Sequence, residues 1–164
     1  MMPCSTMRER CRHPGNAYRE RGIVVRVTPR QGETWKWFAI DDQTNRPCAL
    51  RAELHICGAL SDLLVFYTPE GSASTTICIV ELKGSDITHA IEQVINTLQS
   101  LAPHFNANHA QPLRQQTTWK AYICTRGSAP QFHSPQSRRL LRAFGHGNFA
   151  IQQNPDLGQF LRQH

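Results

Sequence analysis

The sequence predicts an α/β fold: a mixed β-sheet containing an antiparallel meander, one crossover helix and short flanking helices. Residues 59–84 carry the first sign, two apolar runs, ALSDLLVFY and TICIVELKG, around the loop TPEGSAST. Such runs separated by Pro, Gly, Ser and Thr read as an antiparallel strand pair. Next, Ile87, Ala90, Ile91, Val94, Ile95, Leu98 and Leu101 recur at the i, i+3, i+4 spacing of an amphipathic helix. Then TWKAYICT, Thr118 to Thr125, reads as a strand. The order strand, helix, strand implies a right-handed crossover that lays this strand parallel to Ile77–Lys83.

In chain order, RERCRH, the Pro14-Gly15 break and NAYRERG predict two short helical pieces joined by a turn. Strands follow at Ile23–Thr28 and Trp35–Ile40, both rich in β-branched and aromatic residues. After the polar turn DDQTNRP, Cys48–Leu54 is expected to add another strand leading into the hairpin. Trp35 and Trp37 share a strand face, which favours packing over base stacking. Ser85 or Asp86 is positioned to cap the long helix, and Pro103 should stop it near Leu101. His104 to Thr117 reads as a long loop. Past Gly127 and a Pro-rich turn, SRRLLRAF (Ser137–Phe144) predicts a helix presenting Arg138, Arg139 and Arg142. Gly145 and Gly147 end it, Phe149–Gln152 suits an edge strand, and Asn154-Pro155 is expected to cap a last helix reaching Gln163.

At 164 residues the chain is the size of one domain, 1–164, with a basic helical or turn segment at 1–22 and a basic helical extension at 126–164. No apolar run approaches the ~18 residues of a membrane span, and no secretory signal pattern is visible. Six cysteines form no CxxC pair, so neither a zinc knuckle nor a disulfide framework is indicated, and His55 with Cys57 lacks two further zinc ligands. A soluble, cytoplasmic protein is expected. The net charge of +6 is unevenly spread: seven Arg against two Glu in residues 1–30, four basic against nine acidic residues in 31–102, and seven basic residues against Asp156 alone in 103–164. Acid in the middle with base at both ends suits a metal site flanked by phosphate-binding surface.

Asp62 lies inside the first apolar run, and Glu81 and Lys83 close the second. Ionised side chains are rarely buried unless paired or metal-bound. If Tyr67 faces Thr76, the register brings Asp62 opposite Glu81, where two like charges repel. Glu81 and Lys83 project to one face while Leu82 points to the other. Two acids and an amine on one face can hold a hard divalent ion and position a water for phosphodiester hydrolysis. The competing reading is an edge strand with solvated charges.

These residues resemble the PD-(D/E)xK nuclease superfamily, whose signature is an Asp on one strand and (Asp/Glu)-x-Lys on the next. Here it stands as Asp62 and Glu81-Leu82-Lys83, with Ser61 where the superfamily usually has Pro. The likeness extends from about Ile23 to Thr125 and is to small single-domain bacterial or phage members. It implies a restriction-endonuclease-like (Holliday-junction-resolvase-like) core and a metal-dependent endonuclease acting on DNA. It further implies Mg²⁺ or Mn²⁺ held by Asp62, Glu81 and the Leu82 carbonyl, with Lys83 positioning the attacking water and Gln93 beside the site. Superfamily members often carry one more metal-binding Glu, for which Glu9, Glu20, Glu33 and Glu53 are candidates. Lys120 and Arg126 should then lie near the site and, with Arg138, Arg139 and Arg142, meet nucleic acid. A homodimer cutting both strands fits the same likeness. Two rivals stand beside it: a catalytically inactive nucleic-acid-binding or assembly module of the same fold, and a nuclease subunit that needs a partner protein.

Overall fold

The structure is a computed structural model that describes residues 5–41, 49–106, 117–126 and 135–163. Its centre is a six-stranded mixed sheet built from β1 (Arg12–His13), β4 (Thr34–Ala39), β5 (Leu63–Thr68), β6 (Thr75–Lys83), β7 (Thr117–Thr125) and β8 (Phe149–Gln152), in the order β1-β4-β5-β6-β7-β8. β2 (Ala17–Glu20) and β3 (Ile23–Arg26) form a separate antiparallel hairpin. The first four strands of the large sheet pair antiparallel, whereas β6-β7 and β7-β8 are parallel. β6 is buried along most of its length, as a central strand covered on both faces should be.

The register expected from the alternating pattern is present: Tyr67 pairs with Thr76 and Leu63 with Val80, so the next step outward sets Asp62 against Glu81. The helix α3 (Ile87–Asn106) joins β6 to β7 as the parallel crossover, and its N-cap is Asp86, whose Oδ1 accepts the His89 N–H at 3.0 Å. Helices α1 (Ser5–Arg10), α2 (Ala49–Leu54), α3 and α4 (Pro135–Phe144) lie over one sheet face, around a core of Met7, Leu50, Leu64, Ile79, Ile91, Ile123 and Leu140. The β2-β3 hairpin and α5 (Leu157–Leu161) cover the other, around Val25, Trp37, Val65, Val80, Tyr122 and Phe160. Trp37 is accordingly a core residue, and Trp35 stacks on Tyr67 at 4.3 Å between ring centres. Among the described residues no helix is long and apolar enough to cross a membrane. Cys57, Cys78 and Cys124 are free thiols.

Several local expectations fail for identifiable reasons. The second N-terminal helical piece is instead strand β2. Arg21 (φ 47°) and Gly22 (φ 76°) both adopt positive φ, the requirement of a type I′ hairpin turn. Tyr18 and Glu20 then turn inward, while Ala17 and Arg19 face solvent. The strand expected at Cys48–Leu54 is the helix α2 over its described part. ALRAEL is made of strong helix formers, and Leu50 and Leu54, four apart, both reach the core. The meander is therefore β4-β5-β6, with α2 spliced into the β4-β5 connection.

Pro103 does not stop α3, which runs three residues further. The proline loses its own N–H bond and crowds the carbonyl four residues back; packing offsets that cost, with Phe105 held against Phe66 and Trp119 at 5.7 and 5.4 Å. Residues 107–116 of the expected loop lie outside the described residues. The helix α4 is more than a flank, since it forms a second crossover, into parallel β8. The last helix is shorter than expected and capped by Asp156, whose Oδ1 accepts the Gly158 and Gln159 amides. Asn154 lies outside it, accepting the Asp156 N–H.

Candidate active site

The antiparallel register sets Asp62 one residue before β5 and Glu81 near the end of β6. Both are almost completely enclosed, with 8 % and 2 % exposure. Asp62 Oδ2 accepts the Leu82 amide N–H at 2.7 Å, which pins the carboxylate across the strand end. A strand residue directs its N–H and C=O toward the same neighbour, so the Leu82 carbonyl faces the same edge as Asp62. Lys83 Nζ stands 4.0 Å from Glu81 Oε1 and donates to Gln93 Oε1 at 3.2 Å. Glu81 Oε2 is buried without a hydrogen-bond partner among the described residues. That is costly for a carboxylate unless a cation meets it.

Burial pushes the Asp62 carboxyl well above the usual carboxylate range; the Leu82 amide opposes this, while the Glu20 carboxyl, within hydrogen-bonding reach, adds to it. Burial likewise raises Glu81, helped by the charge of Asp62 and opposed by Lys83. Two acids enclosed together hold protons at pH values where exposed carboxylates have lost them, and a divalent ion can take the place of those protons.

Three polar residues on the inward side of α3, Gln93, Asn96 and Thr97, build the approach to Asp62. Gln93, only 7 % exposed, donates to the Leu60 carbonyl at 3.0 Å while accepting from Lys83. One turn on, Thr97 Oγ1 accepts the Ser61 N–H at 2.8 Å and donates to the Gln93 carbonyl at 2.7 Å, and Asn96 donates to the Ala59 carbonyl at 2.7 Å. Ser61 thus supplies an N–H that proline, the superfamily's usual residue there, does not possess. Asn96 and Thr97 escaped the sequence reading, although polar residues three and four positions after Gln93 on an otherwise apolar face were the available sign.

Of the four extra glutamates, only Glu20 is brought to the site. Hairpin β2-β3 turns it inward beside Asp62, with its Oε2 accepting from Tyr18 Oη at 3.4 Å. Glu9 and Glu53 are exposed on α1 and α2. Glu33 sits at the opposite end of β5, bound by Arg162. Among the described residues no three His, Cys, Asp or Glu side chains form a ready-made metal cage. The donors do fit an ion of the Mg²⁺ type, which takes one or two protein carboxylates and completes its shell with water and phosphate; the unpartnered Glu81 Oε2 faces that need.

The expected basic residues divide. Lys120 is not near the acids: its register partner is Cys78, so it projects to the opposite sheet face from Glu81 and Lys83, and its Nζ donates to the Gln163 carbonyl at 2.9 Å. Arg126 follows the end of β7 beside Lys83's partner Thr125 and donates to the Arg21 carbonyl. Arg138, Arg139 and Arg142 are exposed on α4, with Arg139 3.6 Å from Glu92. An α/β fold with a mixed sheet, carrying a buried two-carboxylate and lysine cluster at the ends of its two central strands, is what fold and site define. No protein-family model, curated protein or solved structure matches the chain.

Proposed function

We propose that this protein is a metal-dependent nuclease of the PD-(D/E)xK kind, built on a restriction-endonuclease-like core and hydrolysing phosphodiester bonds in DNA. The observation that carries the reading is the buried Glu81 Oε2, without a hydrogen-bond partner among the described residues, beside a second enclosed carboxylate and the Lys83 ammonium. A structural role does not favour this arrangement, because each charge raises the cost of the other. The choice of DNA rests on the motif's resemblance.

Asp62, Glu81 and the Leu82 carbonyl would hold the ion, with Glu20 at hand as a further acid. When bound, Mg²⁺ or Mn²⁺ offsets charge on the scissile phosphate and favours ionisation of water. Lys83, tethered by Gln93, positions the attacking water and stabilises the hydroxide character that it gains. Gln93 fixes that ammonium and, through Leu60, the strand leading to Asp62. The test is incubation of the purified protein with linear, circular and branched DNA and with RNA, each with Mg²⁺, Mn²⁺ or EDTA. Cleavage that needs the metal supports the proposal, and cleavage persisting in EDTA removes the metal from it.

A further inference from the structure

Asp62 precedes the ladder of β5, whose first pair is Leu63 with Val80. Its side chain is tied to the Leu82 amide, and its carbonyl accepts the Ile40 N–H at 2.9 Å. The residues before it, 59–61, belong to no strand, although Leu60 and Ser61 are fully buried. Irregular backbone in such a place needs partners for its polar groups, and α3 supplies them one residue at a time. Asn96 Nδ2 donates to the Ala59 carbonyl at 2.7 Å, Gln93 Nε2 donates to the Leu60 carbonyl at 3.0 Å, and Thr97 Oγ1 accepts the Ser61 N–H at 2.8 Å. Positions 93, 96 and 97 share one helix face. Asn96 reaches further back as well, to the Cys57 carbonyl at 3.3 Å.

We propose, on the nuclease reading's premise that Asp62 holds the metal, that Thr97 is a positioning residue for Asp62. By holding the Ser61 N–H, it fixes against α3 the strand end from which Asp62 is set opposite Glu81. A hydroxyl has one proton and two lone pairs. The Thr97 proton goes to the Gln93 carbonyl at 2.7 Å, one helical turn back, in preference to Ser61 Oγ at 3.3 Å. The oxygen therefore meets the Ser61 N–H as an acceptor, and its rotamer is held by the helix itself. Thr97 is completely buried, so water does not compete for the Ser61 N–H. Two facing carboxylates repel, and a strand end free to shift would let them separate and spoil the spacing that an ion between them requires. The same helix holds Lys83 through Gln93 Oε1 at 3.2 Å. Helix α3 is thus a common reference for the acid before β5 and the ammonium at the end of β6.

Thr97→Val keeps the shape of the side chain and removes the acceptor. Calorimetric titration of metal-free protein with Mn²⁺ should show binding weakened by roughly 10–100-fold, the loss typical when a group that orients a metal ligand is removed. On DNA, kcat should fall by a similar factor with KM little changed. Thr97→Ser restores the oxygen and should recover most of both. A Thr97→Val protein that melts earlier yet binds Mn²⁺ and turns over like wild type, per folded molecule, would make Thr97 merely structural and overturn the inference while the nuclease reading stands. Wild-type protein that binds Mn²⁺ but cleaves neither DNA nor RNA would overturn the nuclease reading, and the titrations would still decide the role of Thr97. Wild type that neither binds Mn²⁺ nor cleaves would overturn both. Should Thr97→Val not fold, Asn96→Ala carries the test from a half-buried position. A smaller fall in Mn²⁺ affinity and kcat would then support the positioning role of this row, and wild-type values would overturn it.

Discussion

The two ends of β5 treat buried acid in opposite ways. At the loop end, Glu33 is gripped by Arg162 through Nε–Oε1 at 2.7 Å and Nη2–Oε2 at 2.8 Å, and it also accepts from Trp35, Tyr67 and the Arg30 amide. Those donors, led by Arg162, hold its carboxyl down at about 2. At the open end, Asp62 and Glu81 are almost completely enclosed and face each other, and Lys83 Nζ stands 4.0 Å from Glu81 Oε1. Burial drives both upward. One corner is satisfied within the protein, whereas in the other Glu81 Oε2 is buried with no hydrogen-bond partner among the described residues. Carboxylates of the first kind hold a fold together; those of the second kind are kept at a cost in stability, as functional sites commonly are.

The largest effects should come from neutralising the unsatisfied corner. Asp62→Asn or Glu81→Gln is expected to abolish cleavage and the rise in melting temperature that Mg²⁺ or Mn²⁺ gives the wild type, since a ligand stabilises only the state that binds it. The metal-free variants should nevertheless be at least as stable as wild type, by a few tenths to ~1 kcal/mol. Melting curves with and without metal check this, and variants that are less stable yet still respond to metal would make these carboxylates structural. Lys83→Ala should abolish cleavage equally, but calorimetric Mn²⁺ titration should find binding nearly intact because the ammonium is not a ligand. Wild-type turnover by this variant would remove Lys83 from the mechanism.

The satisfied corner should respond in reverse. Glu33→Gln leaves the Arg162 guanidinium, with its side chain 15 % exposed, short of its charge partner. A loss of about 2–3 kcal/mol in urea denaturation is expected, with cleavage per folded molecule unchanged. A neutral stability effect would mean that solvent already screens the pair.

The gentlest probe is pH, which should separate the corners by sign. Asp62 and Glu81 have folded-state pKa values above their unfolded ones, so their contribution is full at low pH. In metal-free protein it is lost as pH rises past the ordinary carboxylate range into the neutral and mildly alkaline range. Glu81→Gln should flatten that decline. Glu33 has the depressed value, so its contribution is present above about 4.5 and is lost as pH falls toward about 2. Denaturation series at both extremes measure the two slopes, and a decline of one sign for both corners would erase the contrast.

What could be read directly from the residues was whatever local pattern dictates. Period-two alternation set the Tyr67–Thr76 register and hence Asp62 against Glu81, the 3.6-residue rhythm set α3, and Lys83 with Gln93 ten residues later fell beside the acids. Tertiary structure alone decided the rest, because those contacts join segments that local pattern does not connect. The β2-β3 hairpin packs across the sheet and delivers Glu20 to Asp62, whereas Arg162 reaches back 129 residues to take Glu33 away from the site. The parallel β6-β7 register sets Lys120 beside Cys78 and so on the far face. Alternation tells which residues of a strand share a face, but which face lies toward the acids depends on how the strands pair, and that depends on packing by the whole chain.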